Sequence, residues 1–226
     1  MTDQILHYGI IAANVIVSMY CFNTPGGFER LQFNVGAIRG HGEWYRLVTS
    51  AFVHVNMTHL LFNMLTFYFF YPLILRNVWW PAALGLYVGA LLVGNLCALF
   101  FHRDDPNYSA VGASGAVSGV LYAAILWDPD MMLYLFFALP IKAWVFGIAY
   151  LLYTIFGIQR QGDNIGHEAH LGGALFGILG ALVLFPDQIL DRPLILAALI
   201  VPTVALFAAA ILRPDLLNRR TDRWDA

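Results

Sequence analysis

A serine set among glycines and a histidine that leads a second glycine-rich run are the residues of this chain best suited to bond-breaking chemistry. The serine is Ser114 in "GASGAVSG", residues 112–119, and the histidine is His170 in "GHEAHLGGALFG", residues 166–177. A serine hydroxyl becomes a nucleophile when a neutral imidazole takes its proton, and the tetrahedral intermediate then needs donors aimed at its new oxyanion. Ser114 falls at the predicted first turn of a helix, where backbone N–H groups lack intrahelical acceptors and the dipole is positive. Those groups can hold an oxyanion, and the glycines let the backbone approach a substrate carbonyl.

His59 and Asn63 stand four residues apart in "THLLFN", hence stacked on one helix face. If their helix lies alongside, the Asn63 amide and the His59 imidazole supply side-chain donors to the same oxygen. The plainer reading of His59 is that Asn56 or Thr58 caps the helix and the ring sits at headgroup level. Asn63, a turn deeper, is harder to explain in that way. Gly173 and Gly177 share the face of His170, and Gly115 and Gly119 make a matching stripe behind Ser114. Small residues four apart let membrane helices nearly touch. Plain helix packing accounts for either stripe alone; facing each other, the two predict Ser114 and His170 within hydrogen-bond reach.

The elements that must position these groups are membrane helices. Of 226 residues, 60% are hydrophobic and 12% charged, and the mean hydropathy is +0.68, too apolar for an ordinary soluble domain. Apolar runs cover residues 5–22, 59–75, 81–101, 112–127, 141–158, 167–185 and 194–212, against about 20 residues needed to cross a bilayer. The first lacks a basic n-region and reads as a retained helix, not a signal peptide. Between it and the second lies a long mixed segment, residues 23–58, predicted to rest in the interface, where Trp44, Tyr45 and Arg46 are at home. Shorter loops follow, and a charged tail begins at Arg213.

Polar groups inside such runs cost free energy unless they are paired or functional. The conspicuous ones are His59, Asn63, Ser114, Ser118, His167, Glu168 and His170. No metal or other cofactor is expected. An H-E-x-x-H protease needs histidines four apart, whereas "HEAH" spaces His167 and His170 by three. Cys21 and Cys97 offer no metal spacing or disulfide framework. No pair of aspartates lies in the runs for an aspartyl mechanism, and the ionisable relays and inverted repeat of a transporter are missing. A net charge of -2 with scattered basic residues argues against nucleic acid as a partner.

Taken together, Trp44-Tyr45-Arg46, "HVNMTHLLFN" with His54, His59 and Asn63, "GASG" with Ser114, and "HLGGALFG" with His170 resemble the rhomboid family of intramembrane serine proteases. The motifs follow the family's order over residues 44–177. The resemblance implies an all-α polytopic membrane protein: a six-helix catalytic core over 1–185, an extra C-terminal transmembrane helix over 186–212, and a charged tail over 213–226. It implies a Ser-His dyad of Ser114 and His170 without a third acid. His59, Asn63, Gly112 and the Ser114 backbone would form the oxyanion hole, and Trp44 and Arg46 would brace the half-submerged loop. The loop near residues 157–166 would cap the site. The implied partners are the lipid bilayer and single-pass transmembrane substrates cut near the outer boundary, and the implied location is the cell membrane as a multi-pass protein. The alternative is an inactive relative that binds transmembrane segments without cutting them.

Two features depart from the family pattern. Four residues after the nucleophile the family commonly places an aromatic ring against the catalytic imidazole, whereas this chain has Ser118. Tyr122 or a residue of the second run would then hold His170, or the ring would be mobile. Charge also fits poorly: with the N-terminus inside and all seven runs crossing, only Arg76, Lys142 and Arg192 fall on the inner side, contrary to the positive-inside rule. If residues 194–212 do not cross, Arg213, Arg219, Arg220 and Arg223 return to that side.

Overall fold

The computed structural model describes residues 2–135, 138–160 and 166–212. In chain order, α1 (Thr2–Asn23) leads into three short helices, α2 (Gly27–Leu31), α3 (Val35–His41) and α4 (Arg46–Thr49), and a 3₁₀ turn over Ser50–Phe52. Then follow α5 (Met57–Leu75), α6 (Trp80–Phe101), α7 (Ser114–Trp127), α8 (Ala143–Arg160), α9 (His167–Leu184), α10 (Pro186–Leu190) and α11 (Pro193–Leu212). Each predicted apolar run is a helix. The protein is an all-α, multi-pass integral membrane protein, and its few strands are short ties between loops.

Among the described residues four helices, α1, α5, α6 and α9, are long and apolar enough to cross a bilayer, while α7, α8 and α11 count as shorter apolar helices. Helix α7 shows why a run can fall short of the predicted span. Its 14 residues reach about 21 Å at 1.5 Å per residue, against a hydrocarbon core of about 30 Å. Every residue from Gly115 to Leu126 is buried, because α5, α6 and α9 pack around it. A helix sheathed in protein need not match the lipid thickness. Helix α11 packs on α8 and α9 at the edge of this bundle.

Helices α7 and α9 run parallel and in step. A β-carbon at Gly173 would collide with the Gly115 carbonyl oxygen, and one at Gly177 with that of Gly119. With lipid tails as apolar as the side chains, such close van der Waals packing is what associates membrane helices.

The segment between α1 and α5 is built, not frayed. Strand β1 (Phe33–Asn34) pairs antiparallel with β2 (Ser109–Ala110), with Phe33 opposite Ala110 and Asn34 opposite Ser109. This pairing ties the segment to the loop that leads into Ser114. Asn34 caps α3 by accepting from the Ala37 N–H at 2.8 Å, and Phe33, Val35 and Ile38 are buried beneath it. Arg46 is buried: its Nε meets Glu43 Oε2 at 2.5 Å, and its Nη1 donates to the carbonyls of Glu29 at 2.7 Å and Gln32 at 2.8 Å. A guanidinium can satisfy several carbonyls at once, so Arg46 fastens the turn from inside. Trp44 and Tyr45 stay exposed, as interfacial aromatics do.

Strands β3 (Met132–Leu135) and β4 (Leu139–Lys142) form a hairpin between α7 and α8. At its base Asp130 accepts from Lys142 at 2.8 Å and Arg192 at 2.6 Å, and these hydrogen bonds, Arg192 first, hold its carboxyl down to about 2.

Candidate active site

Ser114 is the first residue of α7 and His170 stands in the first turn of α9, so the in-step packing of these helices brings the two side chains together. His170 Nε2 lies 2.6 Å from Ser114 Oγ. His170 is buried and Ser114 half-buried, a setting in which the hydroxyl meets an imidazole before it meets bulk water.

The loop before Ser114 is fixed at consecutive backbone groups. Gly112 has φ +122°, and a β-carbon there would stand 2.6 Å from His59 Cε1, so both its backbone conformation and its neighbour call for glycine. Its N–H donates to the Ser50 carbonyl at 3.0 Å. The next N–H, of Ala113, donates to His54 Nε2 at 3.4 Å. His54 Nδ1 then carries the ring proton and faces Ser18 Oγ of α1 at 2.9 Å, and Ser18 donates to the Phe52 carbonyl at 2.9 Å. Burial and the nearby charge of His59 push His54 down to about 3, so it is neutral at ordinary pH. The Ser114 N–H follows at the helix start, where no acceptor exists within its own helix.

Asn56 caps α5 by accepting from the His59 N–H at 2.8 Å. The His59 imidazole nonetheless turns inward, packing edge-on to His54 at 5.0 Å between ring centres. Asn63 is buried, and its Nδ2 donates to the His59 carbonyl at 3.0 Å, leaving a second N–H on that nitrogen. His59, Asn63, Ser114, His170 and Tyr150 line a cavity of about 1440 Å³. All the predicted site residues, Gly112 included, therefore converge on one place.

Glu168 lines the same cavity but has a partner outside the Ser114–His170 pair. Its Oε1 lies 3.1 Å from His102 Nε2, and His102 stacks on Tyr108. Ser118 is buried. Tyr122, considered above as a support for His170, instead donates its hydroxyl proton to the Gly147 carbonyl at 2.8 Å. The aromatic residue beside the imidazole is Tyr150 of α8, whose Oη lies 3.2 Å from His170 Nδ1. Residues 161–165, the centre of the predicted capping loop, lie outside the described residues, as does the charged tail over 213–226.

Tyr150 and Ser18 went unnoticed in the sequence, and His54 was noted only as part of its motif. A phenol within the apolar run 141–158 and a hydroxyl within 5–22 were the available signals, since each needs a partner when buried.

The Rhomboid domain model matches residues 41–187. The chain is similar to the mitochondrial RHOMBOID-like protein 12 of Arabidopsis thaliana, at 31% identity over 191 residues, covering 77% of this chain and 56% of that protein. It is similar to the human mitochondrial presenilin-associated rhomboid-like protein at 29% identity over 178 residues, covering 75% of this chain and 46% of that protein. A rhomboid-named relative from Bacillus subtilis is 35% identical over 88 residues, covering 39% of this chain and 42% of its own length. The chain spans about half the length of these relatives.

Proposed function

Because the chain belongs to the rhomboid family, we propose that it is an intramembrane serine endopeptidase acting through Ser114 and His170. The observation that carries this reading is the 2.6 Å separation of His170 Nε2 and Ser114 Oγ in the wall of the cavity. Oγ bonds to the scissile carbonyl carbon as its proton passes to Nε2. Negative charge collects on the carbonyl oxygen, where the Ser114 N–H, the Asn63 amide and the His59 ring N–H donate, with Gly112 leaving room for it. Collapse breaks the C–N bond, and His170 gives its proton to the departing amine. Water attacks the acyl-serine, losing a proton to His170, which returns it to Oγ.

The substrates on this reading are single-pass transmembrane segments cut near the outer membrane boundary. A peptide bond satisfied within a helix cannot reach extended acyl-transfer geometry without losing its hydrogen bonds, so small residues and an easily unwound helix are favoured. The catalytic core comprises residues 1–185, with 186–212 as an added C-terminal helix. Two of the relatives above are mitochondrial by name and lend no support to the cell membrane as the location.

The test is covalent labelling with a fluorophosphonate in detergent micelles. Wild-type protein should be labelled at Ser114, and Ser114→Ala should not be. Wild-type protein inert to the probe would favour the non-cleaving alternative, and labelling that persists in Ser114→Ala would place the reactive nucleophile elsewhere.

A further inference from the structure

We infer that Tyr150 is the positioning residue for the His170 imidazole, accepting from its Nδ1–H. The inference rests on the reading of Ser114 and His170 as nucleophile and base. To take the serine proton, Nε2 must be bare, and in a neutral imidazole the ring proton then resides on Nδ1. The atom facing Nδ1 is Tyr150 Oη, at 3.2 Å, and it can serve that tautomer only as an acceptor. The phenol's own proton is thereby released for another acceptor, and Ser118 lines the same cavity as Tyr150.

The chain of contacts runs Ser114, His170, Tyr150. It leaves α7 and crosses α9 to reach α8. This arrangement explains why Ser118 replaces the ring expected there. A bulky residue would compete for the space beside His170 that the Tyr150 ring fills, whereas a serine leaves it open. Tyr150 is itself held in an aromatic row, stacked near Phe146 at 5.9 Å and Tyr153 at 6.3 Å between ring centres. The other titratable groups around the imidazole are His167 on its own helix, with rings 6.0 Å apart, Tyr153 of α8 beyond it, Glu168 turned toward His102, His59 of α5 across the cavity, and Cys97 of α6 against Gly172.

A neutral phenol lacks the charge of the carboxylate in a serine triad, so its contribution should be that of one buried hydrogen bond. Tyr150→Phe keeps the ring and removes the acceptor. It should lower kcat about tenfold with KM little changed. The imidazolium loses an acceptor, so its pKa falls and the acid limb of kcat/KM moves to lower pH. Tyr122→Phe, which loses only the bond to the Gly147 carbonyl, should lower the melting temperature without moving the acid limb. The readout independent of turnover is ¹⁵N NMR of histidine-labelled protein: His170 should carry its proton on Nδ1 in the wild type and exchange between tautomers in Tyr150→Phe. A wild-type His170 protonated on Nε2, or a Tyr150→Phe enzyme with the wild-type acid limb, would overturn the inference. Cleavage that survives Ser114→Ala would instead overturn the catalytic reading, while the NMR result would still score the tautomer.

Discussion

Gly173 of α9 stands so close to the carbonyl oxygen of Gly115 of α7 that no β-carbon fits between them. This contact lies one turn below His170 and next to Ser114, so it sets the distance across which the proton must pass. Gly173→Ala should push the helices apart, lowering stability by about 1–3 kcal/mol and turnover by about 10²-fold, since misplacement by about 1 Å is enough for such a loss. Gly85→Ala on α6, where a β-carbon meets nothing within 4 Å, is the control and should leave both unchanged. Wild-type thermal stability in Gly173→Ala would contradict the packing.

Asn63→Ala tests the oxyanion side. Loss of one preorganised donor should cut kcat by roughly 10²-fold, or less if His59 and the Ser114 N–H compensate. Michaelis constants for a transmembrane substrate should move little. A variant that binds poorly yet turns over at the normal rate would assign Asn63 to substrate docking.

His54 predicts a pH dependence of stability. Its folded value, about 3, lies below the ordinary 6.5, so the unfolded chain takes up a proton that the folded protein refuses. Stability is therefore intact above pH 6.5 and falls as the pH drops toward 3, by up to about 1.4 kcal/mol per pH unit. His54→Gln removes the titrating group while leaving an amide oxygen for the Ala113 N–H. Melting temperatures from pH 7 to 4 should fall less steeply for His54→Gln than for wild type. Parallel curves would show that His54 is not the group responsible.

The helices and the meeting of Ser114 with His170 were legible because they rest on local regularities: apolar runs long enough for a membrane, and glycines at helical spacing. Arg46 was recognisable as structural, but its burial was not, because its acceptors at Glu29 and Gln32 lie 14 to 17 residues away in a segment without periodicity. Tyr150 was hidden for a different reason. Tyrosine in a membrane helix is ordinary, and only the packing of α8 against α9 reveals which nitrogen its hydroxyl faces.

That packing decides the outcome of Ser118→Phe. The space beside His170 is already filled by Tyr150, so an added ring should overpack α7 against α8 at a cost of about 1–3 kcal/mol and reduce turnover. A thermal melt paired with an activity assay reads both. Unchanged stability with equal or higher activity would mean that the space is open.

The most direct measurement is cleavage of a single-pass transmembrane substrate by purified wild-type, Ser114→Ala and His170→Ala proteins reconstituted in liposomes, with the cut located by mass spectrometry. The dyad account predicts one cut near the membrane boundary for wild type, none for either variant, and melting temperatures close to wild type for both, because nucleophile and base act as a unit. Chelator should change nothing. Near-normal turnover by folded Ser114→Ala or His170→Ala would contradict it.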